Sequence, residues 1–244
     1  MISRYLVALL MTPLLALSVL PAQADYQLET VAEDLNFPWS IAFLPDGNYL
    51  VATRPGDLLR VSKDGDVSEP LSGTPEPLVE GQGGYFDIML DQDFTDNRTV
   101  YLSFAWGTLD ANATRIVKAT LGESGLENTE VLFTASPTKA AGAHFGGKMV
   151  QLADGTIVLA TGDGFDYREA AQDTFSQLGK IIRLNKDGSA PADNPFADGK
   201  AGNPYVWSYG HRNTQGLVVD TTTNTVYNHE HGPQGGDEIN RIEP

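Results

Sequence analysis

The chain repeats one local pattern, which consists of a short apolar run, a tight turn and a second short apolar run. The clearest copy is formed by residues 40–44, the turn Asp46-Gly47 and residues 49–53, with a further apolar run at 58–61. Because Asp-Gly fits the backbone of a tight hairpin turn, each copy predicts a pair of antiparallel β-strands. Helical periodicity is nearly absent from the chain, so we predict an all-β fold.

Related copies recur at intervals of about 50 to 70 residues, a spacing typical of repeat folds. They are centred on residues 86–104, 148–161 and 216–227, with further strands predicted at 114–119 and 180–184. Such repeats predict a β-propeller with about four blades, and a β-sandwich is the alternative. The propeller is favoured because the hairpins share one internal layout. It places the residues that precede a hairpin, such as Gln82 and His144, near one central face.

The two ends of the chain predict processing and further sequence. Residues 1–24 have the features of a secretory signal peptide: Arg4, an apolar stretch at 6–20, and the small-residue site Ala22-Gln23-Ala24. A membrane anchor is the alternative, which the short apolar core disfavours. Residues 239–244 look like the start of another connection. We therefore expect a periplasmic or secreted propeller domain at 25–244 that is incomplete at its C-terminus.

Composition limits the partners of this chain. It contains no cysteine, so an exported form must be stable through its core alone. Without residues 1–24 it carries 15 basic and 32 acidic residues, a net charge of −17. This charge argues against nucleic acids and anionic membrane surfaces as partners. An anionic ligand would need local arginine, lysine or a metal ion to reverse the sign at its site.

Two segments near the end of the chain combine groups that suit an anion and a cation. Arg212 and Asn213 offer guanidinium and amide donors to an anionic or carbonyl-bearing ligand, although an ordinary pairing of Arg212 with an acid is equally compatible. Gly232 and Pro233 lie in a turn-rich loop whose carbonyls, with the nearby carboxylate of Glu238, suit calcium. The spacing does not match that of an EF-hand loop.

His144 and Gln82 are candidate site residues in glycine-rich surroundings. His144 lies among the small residues of 141–147 and can act as a general base, or it can be a partly buried histidine bonded to a loop carbonyl. Gln82, within 81–84, can offer its amide to a ligand carbonyl or simply belong to a flexible turn.

Other polar residues receive a structural interpretation or remain open. His229 and His231 are two residues apart and would share a face of a strand, but no third metal ligand lies at a recognisable spacing. His231 is therefore interpreted as structural, and His229 is left undecided. Asp163 and Asp173 are interpreted as turn or hydration residues.

The chain resembles the soluble pyrroloquinoline-quinone (PQQ) dependent sugar dehydrogenases, in particular the bacterial aldose sugar dehydrogenases. The stretches that carry the resemblance extend across nearly all of the chain that follows the predicted signal peptide. In order, they are residues 35–43, 81–84, 143–147, 207–216 and 231–240.

The resemblance implies a six-bladed propeller that carries PQQ on its central face. His144 matches the family's general base, which takes the proton of the anomeric hydroxyl while hydride leaves for the quinone. Gln82, Arg212 and Asn213 match groups that contact PQQ or lie over its reactive carbonyl. Arg212 and calcium would then stabilise the negative charge that develops on the quinone oxygen.

The resemblance also implies the metal sites and the substrate class. Gly232 and Pro233 match carbonyls that hold the cofactor's calcium, and Glu238 matches a ligand of a second, structural calcium. The expected activity is oxidation of aldoses to lactones, with an unidentified electron acceptor. Ala143 stands where the glucose-specific branch carries an acid, which favours a broad aldose range. The alternatives are a calcium-dependent propeller lactonase or similar hydrolase, and a non-catalytic binding propeller.

Overall fold

A computed structural model describes residues 26–243. The predicted signal peptide at 1–24 lies outside the described residues. From Val31 onward the chain forms one compact unit. Among residues 26–243, no helix has the length and apolar character needed to cross a membrane.

Strands that are consecutive in the chain form four antiparallel sheets in the described part of the protein. The first sheet contains β1 (Pro38–Phe43), β2 (Tyr49–Thr53) and β3 (Leu58–Val61). The second contains β4 (Tyr85–Leu90), β5 (Thr99–Thr108), β6 (Ala111–Leu121) and β7 (Leu126–Thr134). The third contains β8 (Gly146–Gln151), β9 (Ile157–Thr161), β10 (Lys180–Leu184) and β11 (Val206–Tyr209). The fourth contains β12 (Thr214–Asp220), β13 (Thr225–Glu230) and β14 (Glu238–Arg241).

The first strands of successive sheets lie side by side. β1 contacts β4, β4 contacts β8, and β8 contacts β12. Each sheet therefore starts near a common axis and continues outward, which is the arrangement of blades in a β-propeller. The predicted fold class and the number of repeats are confirmed. Two short helical turns, α1 (Phe94–Asn97) and a 3₁₀ helix at Arg168–Ala171, lie in the connections between strands.

Apolar side chains fill the space between successive sheets. One cluster, which includes Leu50 and Phe104, lies between the first two sheets. A second, which includes Tyr101 and Leu159, lies between the second and third sheets. A third, which includes Val158 and Val226, lies between the third and fourth sheets. The second and third sheets are thus covered on both faces, whereas the first and fourth sheets are each covered on one.

The predicted Asp-Gly turns close the hairpins. In the first turn, Gly47 has φ +86° and donates its N–H to the carbonyl of Leu44 at 3.0 Å. Gly155 has φ +85° in the corresponding turn of the third sheet. A left-handed backbone of this kind favours glycine, which has no Cβ to clash with the following carbonyl.

Three strands were not predicted, namely β7, β11 and β14. Most residues of β7 and β14 are exposed, and β11 is only four residues long. β7 and β14 pair with β6 and β13, on the sides remote from β5 and β12. Because strands at the outer edge of a blade contact solvent, they carry no continuous apolar run that would identify them.

Candidate active site

A cavity of about 240 Å³ opens where the ends of the inner strands of all four sheets meet. Polar groups and aromatic rings share its wall. The lining residues are Trp39, Arg54, Gly81, Gln82, Phe86, Phe145, Gly146, Asn213, Gln215 and His231. Among these lining residues there is no aspartate or glutamate, although acids outnumber basic residues two to one in the sequence. Arg54 gives the wall a positive charge, so the site favours an anionic or carbonyl-rich ligand.

His144 and Gln82 are brought together as predicted. The backbone N–H of His144 donates to the side-chain oxygen of Gln82 at 2.8 Å. This bond occupies the oxygen of the Gln82 amide and leaves its nitrogen for a ligand. His144 itself is buried. It precedes Phe145 of the cavity wall in the chain, and the centroid of the Phe165 ring lies 5.1 Å from that of its imidazole.

Asp163 is a functional candidate that the sequence interpretation missed. Its carboxylate oxygen lies 2.7 Å from Nδ1 of His144, and both side chains are buried. The same oxygen accepts the backbone N–H of Phe165 at 2.8 Å. The interpretation of Asp163 as a turn residue is therefore incomplete, because the carboxylate that bonds the turn N–H also fixes the orientation of the imidazole.

Hairpin geometry explains how the pair forms. His144 precedes β8 and Asp163 follows β9, and these two strands pair antiparallel with Gly146 opposite Thr161. The residue before the first strand and the residue after the second strand therefore meet at the open end of the hairpin. The same reasoning places Arg54, after β2, and His231, after β13, on the cavity wall. The ends of the strands predicted from the sequence could therefore have identified Asp163 and Arg54 as candidates.

Arg212 links the His144–Asp163 pair to the fourth sheet. Its carbonyl accepts the backbone N–H of Asp163 at 2.8 Å, and its guanidinium donates to the carbonyl of His231 at 2.8 Å. The neighbouring Asn213 is buried, lines the cavity, and accepts a hydrogen bond from Gln215 at 2.9 Å. Two of the three residues predicted to bind the cofactor, Gln82 and Asn213, thus lie on the cavity wall, and Arg212 lies beside it.

Glu230 holds the Arg212 segment through a hydrogen bond to its backbone. This buried carboxylate accepts the backbone N–H of Arg212 at 2.6 Å and lies 3.2 Å from Nδ1 of His211. Burial by itself would raise the pKa of Glu230, but the contact with His211 and the backbone N–H donors of Arg212 and Asn213 outweigh burial and hold the pKa below its ordinary value. Sequence reasoning did not single out Glu230.

The loop predicted to hold calcium follows β13. The carbonyl of Pro233 accepts the N–H of Gly236 at 3.2 Å, and a Cβ on Gly232 would stand 1.8 Å from the carbonyl oxygen of Gly236. This turn is therefore too tight for any residue but glycine at Gly232. Glu238 is exposed, and its carboxylate accepts a hydrogen bond from Asn240 at 3.1 Å. Within residues 26–243, no group of three or more His, Cys, Asp or Glu residues is placed to hold a metal ion.

The two histidines of this region differ in location. His231 lines the cavity, so its purely structural interpretation is incomplete. His229 is exposed on the fourth sheet and packs against Gly216, where its Nε2 lies 2.0 Å from the position that a Cβ would take.

Comparison with known proteins identifies the family. Residues 35–244 match the model of the glucose/sorbosone dehydrogenase family. The chain is 36% identical over 236 residues to the aldose sugar dehydrogenase YliI of Escherichia coli, an alignment that covers 94% of this chain and 63% of that protein.

Solved structures give the same result. The soluble aldose sugar dehydrogenase from Escherichia coli in its apo-form aligns with a TM-score of 0.84 at 35% identity, over 88% of this chain and 63% of that one. The PQQ-bound aldose sugar dehydrogenase from Streptomyces coelicolor aligns with a TM-score of 0.76 at 33% identity, over 89% and 63%. The chain thus spans less than two thirds of the length of these relatives. It belongs to the glucose/sorbosone dehydrogenase family.

Proposed function

We propose that this protein oxidises the anomeric hydroxyl of aldose sugars to the corresponding lactone, with PQQ as cofactor and calcium as the cofactor's metal. The observation that carries the proposal is the buried His144–Asp163 pair beside a cavity whose lining residues include no carboxylate. The similarity to a sugar dehydrogenase with bound PQQ supports it.

His144 is the proposed general base. A carboxylate at Nδ1 favours the tautomer that carries its proton on that nitrogen, which leaves the Nε2 lone pair free to accept a proton. The anomeric O–H bond then breaks and its proton passes to Nε2. The C1–H bond breaks at the same time, its electron pair leaves with the hydrogen as hydride, and the C1–O bond becomes the carbonyl of the lactone. PQQ, when bound, supplies the acceptor for that hydride.

The cavity wall suits a flat, anionic, carbonyl-rich ring. Trp39, Phe86 and Phe145 offer aromatic faces, and Gly81 and Gly146 allow close approach of a planar group. Gln82 and Asn213 are proposed to donate their amide N–H groups to the ring's oxygen atoms. Arg212, whose guanidinium donates to the carbonyl of His231 beside the cavity, is proposed to stabilise negative charge that would develop on the bound ring.

Calcium is proposed to bind the carbonyls of Gly232 and Pro233. Carbonyl oxygens are the hard ligands that calcium prefers, but two are fewer than the roughly six to eight that it takes, so the cofactor and water would supply the others. Glu238 is proposed as a ligand of a second, structural calcium. The lactonase alternative requires acids that converge on a central metal, and the cavity wall offers none.

We further propose an exported location, periplasmic or secreted, on the basis of the signal peptide predicted at residues 1–24. The substrate class is broad, since Ala143 precedes the base where a glucose-specific enzyme would carry an acid. A separate electron acceptor would be required to complete the reaction cycle.

The test is reconstitution of the protein with PQQ and calcium, followed by an assay of aldose oxidation with an artificial electron acceptor. We expect aldose-dependent reduction of the acceptor. His144→Ala should lower kcat by roughly 10²- to 10⁴-fold, the contribution typical of a positioned base, while the absorbance change on PQQ binding is retained.

His229→Ala is the matched control, since His229 is an exposed histidine on the fourth sheet. It should leave kcat unchanged. Equal turnover of His144→Ala and the unmodified protein would remove His144 from its role. Lack of any PQQ absorbance change on titration, together with lactone hydrolysis in calcium alone, would favour the hydrolase.

A further inference from the structure

Lys139 is a buried lysine that contacts Phe145 and Gly164, the residues next to His144 and Asp163 in the chain. Its side chain is 2% exposed. The ammonium donates to the side-chain oxygen of Asn112 at 2.8 Å and to the carbonyl of Ala141 at 2.6 Å, and it lies 3.5 Å from the centre of the Phe145 ring. Lysine is seldom this buried unless it is paired with an acid, yet each of these partners is neutral.

The stem of Lys139 packs against the loop that carries Asp163. The Cδ atom lies 2.6 Å from the position that a Cβ on Gly164 would take, and Gly164 has φ +76°. Only glycine therefore fits at 164 while the lysine occupies this space. The backbone of Lys139 also pairs with that of Asn112 through two hydrogen bonds of 2.9 Å. One side chain thus connects the start of β6, the segment before His144, and the loop after β9.

The charge of Lys139 acts on the same pair. Burial lowers the pKa of Lys139 to about 7, and attraction to the carboxylate of Asp163 opposes this shift. A carboxylate beside an imidazole favours the protonated imidazolium, which cannot act as a base. A protonated lysine that is attracted to the same carboxylate would offset that preference.

We propose that Lys139 is a positioning residue that fixes the His144–Asp163 pair through its contacts with Asn112, Ala141, Phe145 and Gly164, and that its ammonium, when protonated, disfavours protonation of His144. This inference rests on the proposed function, since it concerns the base of that reaction. It adds Lys139 to the residues that the proposed reaction needs, a role that the comparison with known proteins does not assign.

Three other charged or titratable residues lie near the His144–Asp163 pair. The hydroxyl of Tyr167 accepts the N–H of Ala140 at 3.0 Å, and its ring lies against Gly164. The guanidinium of Arg168 lies 5.4 Å from the centre of the Phe165 ring, and that ring packs on His144. The backbone of Arg212 contacts Asp163. Each of these groups is unchanged in the variants proposed below.

The test is an NMR titration of His144 in the protein without cofactor, with the signals assigned by comparison with His144→Ala. Lys139→Met and Lys139→Gln remove the charge, and glutamine keeps a donor for the two oxygen acceptors. We expect both to raise the pH at which His144 gains its proton by about one unit, the size of effect expected for a nearby charge. Lys139→Arg keeps the charge and should leave this pH within a few tenths of a unit, as expected when the interaction is preserved.

Lys180 offers the matched control. It is also fully buried, and its ammonium donates to the carbonyls of Ala170, Ala171 and Leu178. Lys180→Met should leave the His144 titration unchanged. A His144 titration in Lys139→Met and Lys139→Gln that equals that of the unmodified protein would overturn the proposal and leave Lys139 a purely structural role.

A second measurement covers the case in which the neutral variants do not fold. In the unmodified protein, the ¹⁵N signal of the Lys139 ammonium and the imidazole signals of His144 are followed in one titration. Each should show a second inflection where the other group titrates, and two independent single transitions would contradict the proposal. The titration needs neither cofactor nor sugar. An inactive protein that shows the coupling would therefore contradict the proposed function and support the role of Lys139.

Discussion

At the scale of single residues, the site depends on the contact between Asp163 and the proposed base, His144. His144 was singled out by the resemblance to a known family, whereas Asp163 was interpreted, like Asp173, as a turn or hydration residue. The structure separates them, since Asp163 is buried against His144 and Asp173 is exposed. Asp163 is proposed to orient His144 because it is buried and paired with that imidazole, and neither property can be read from the residue type alone.

Asp163→Asn should lower turnover by roughly 10²-fold, because loss of the carboxylate permits the wrong tautomer and misplaces the ring. Steady-state kinetics of aldose oxidation would measure the effect, and PQQ binding should persist. Asp173→Asn is the control and should retain normal turnover. A kcat for Asp163→Asn equal to that of the control would mean that the carboxylate does not orient the base.

At the scale of elements, the open ends of the inner hairpins build the site. Residues before β4, β8 and β12 supply Gln82, His144 and Asn213, and residues after β2, β9 and β13 supply Arg54, Asp163 and His231. Antiparallel pairing brings the two ends of each hairpin together, and the shared axis brings the hairpins together. Glu230, at the end of β13, then fixes the Arg212 segment against β14 through Asn240.

Glu230→Gln should reduce the free energy of unfolding by about 1–3 kcal/mol at neutral pH, because it weakens buried hydrogen bonds to a charged group. The folded pKa of Glu230 lies below its unfolded value. Its charge therefore stabilises the fold above the unfolded pKa, about 4.3, and this contribution is lost as the pH falls through the folded pKa.

Urea unfolding across this acidic range would measure both effects. The variant should lose stability more gradually than the unmodified protein as the pH falls. Glu130→Gln, at an exposed position on β7, is the control and should change little. A steep acid dependence retained in Glu230→Gln would show that the decisive carboxylate lies elsewhere.

At the scale of the whole molecule, the first and fourth sheets each carry a row of exposed apolar side chains. On β1 the row consists of Trp39, Ile41 and Phe43, and on the fourth sheet it consists of Val218, Tyr227 and Ile239. Phe43 is 70% exposed and Ile239 is 84% exposed. Contiguous apolar surface of this kind drives association or aggregation unless another surface covers it.

We expect the 244-residue chain to bind the dye ANS and to associate as its concentration rises. Phe43→Lys combined with Ile239→Lys should reduce both, as measured by dye fluorescence and light scattering. Val131→Lys changes an isolated exposed apolar residue on β7 and should have little effect. A chain that remains monomeric without binding dye would refute this expectation.

The sequence by itself determined the all-β class, the four repeats and the turn positions, because Asp-Gly pairs and short apolar runs encode hairpins locally. Its likeness to a known family also singled out His144, Gln82, Arg212 and Asn213. It did not identify the outer strands β7 and β14, whose exposed residues lack an apolar pattern. Only the tertiary structure decided which polar groups meet: Asp163 with His144, Glu230 with Arg212, and Lys139 with Asn112. His144 and Asp163 are 19 positions apart and Arg212 and Glu230 are 18 apart, so these contacts depend on how each hairpin folds back and on which groups it buries, and not on residues adjacent in the sequence.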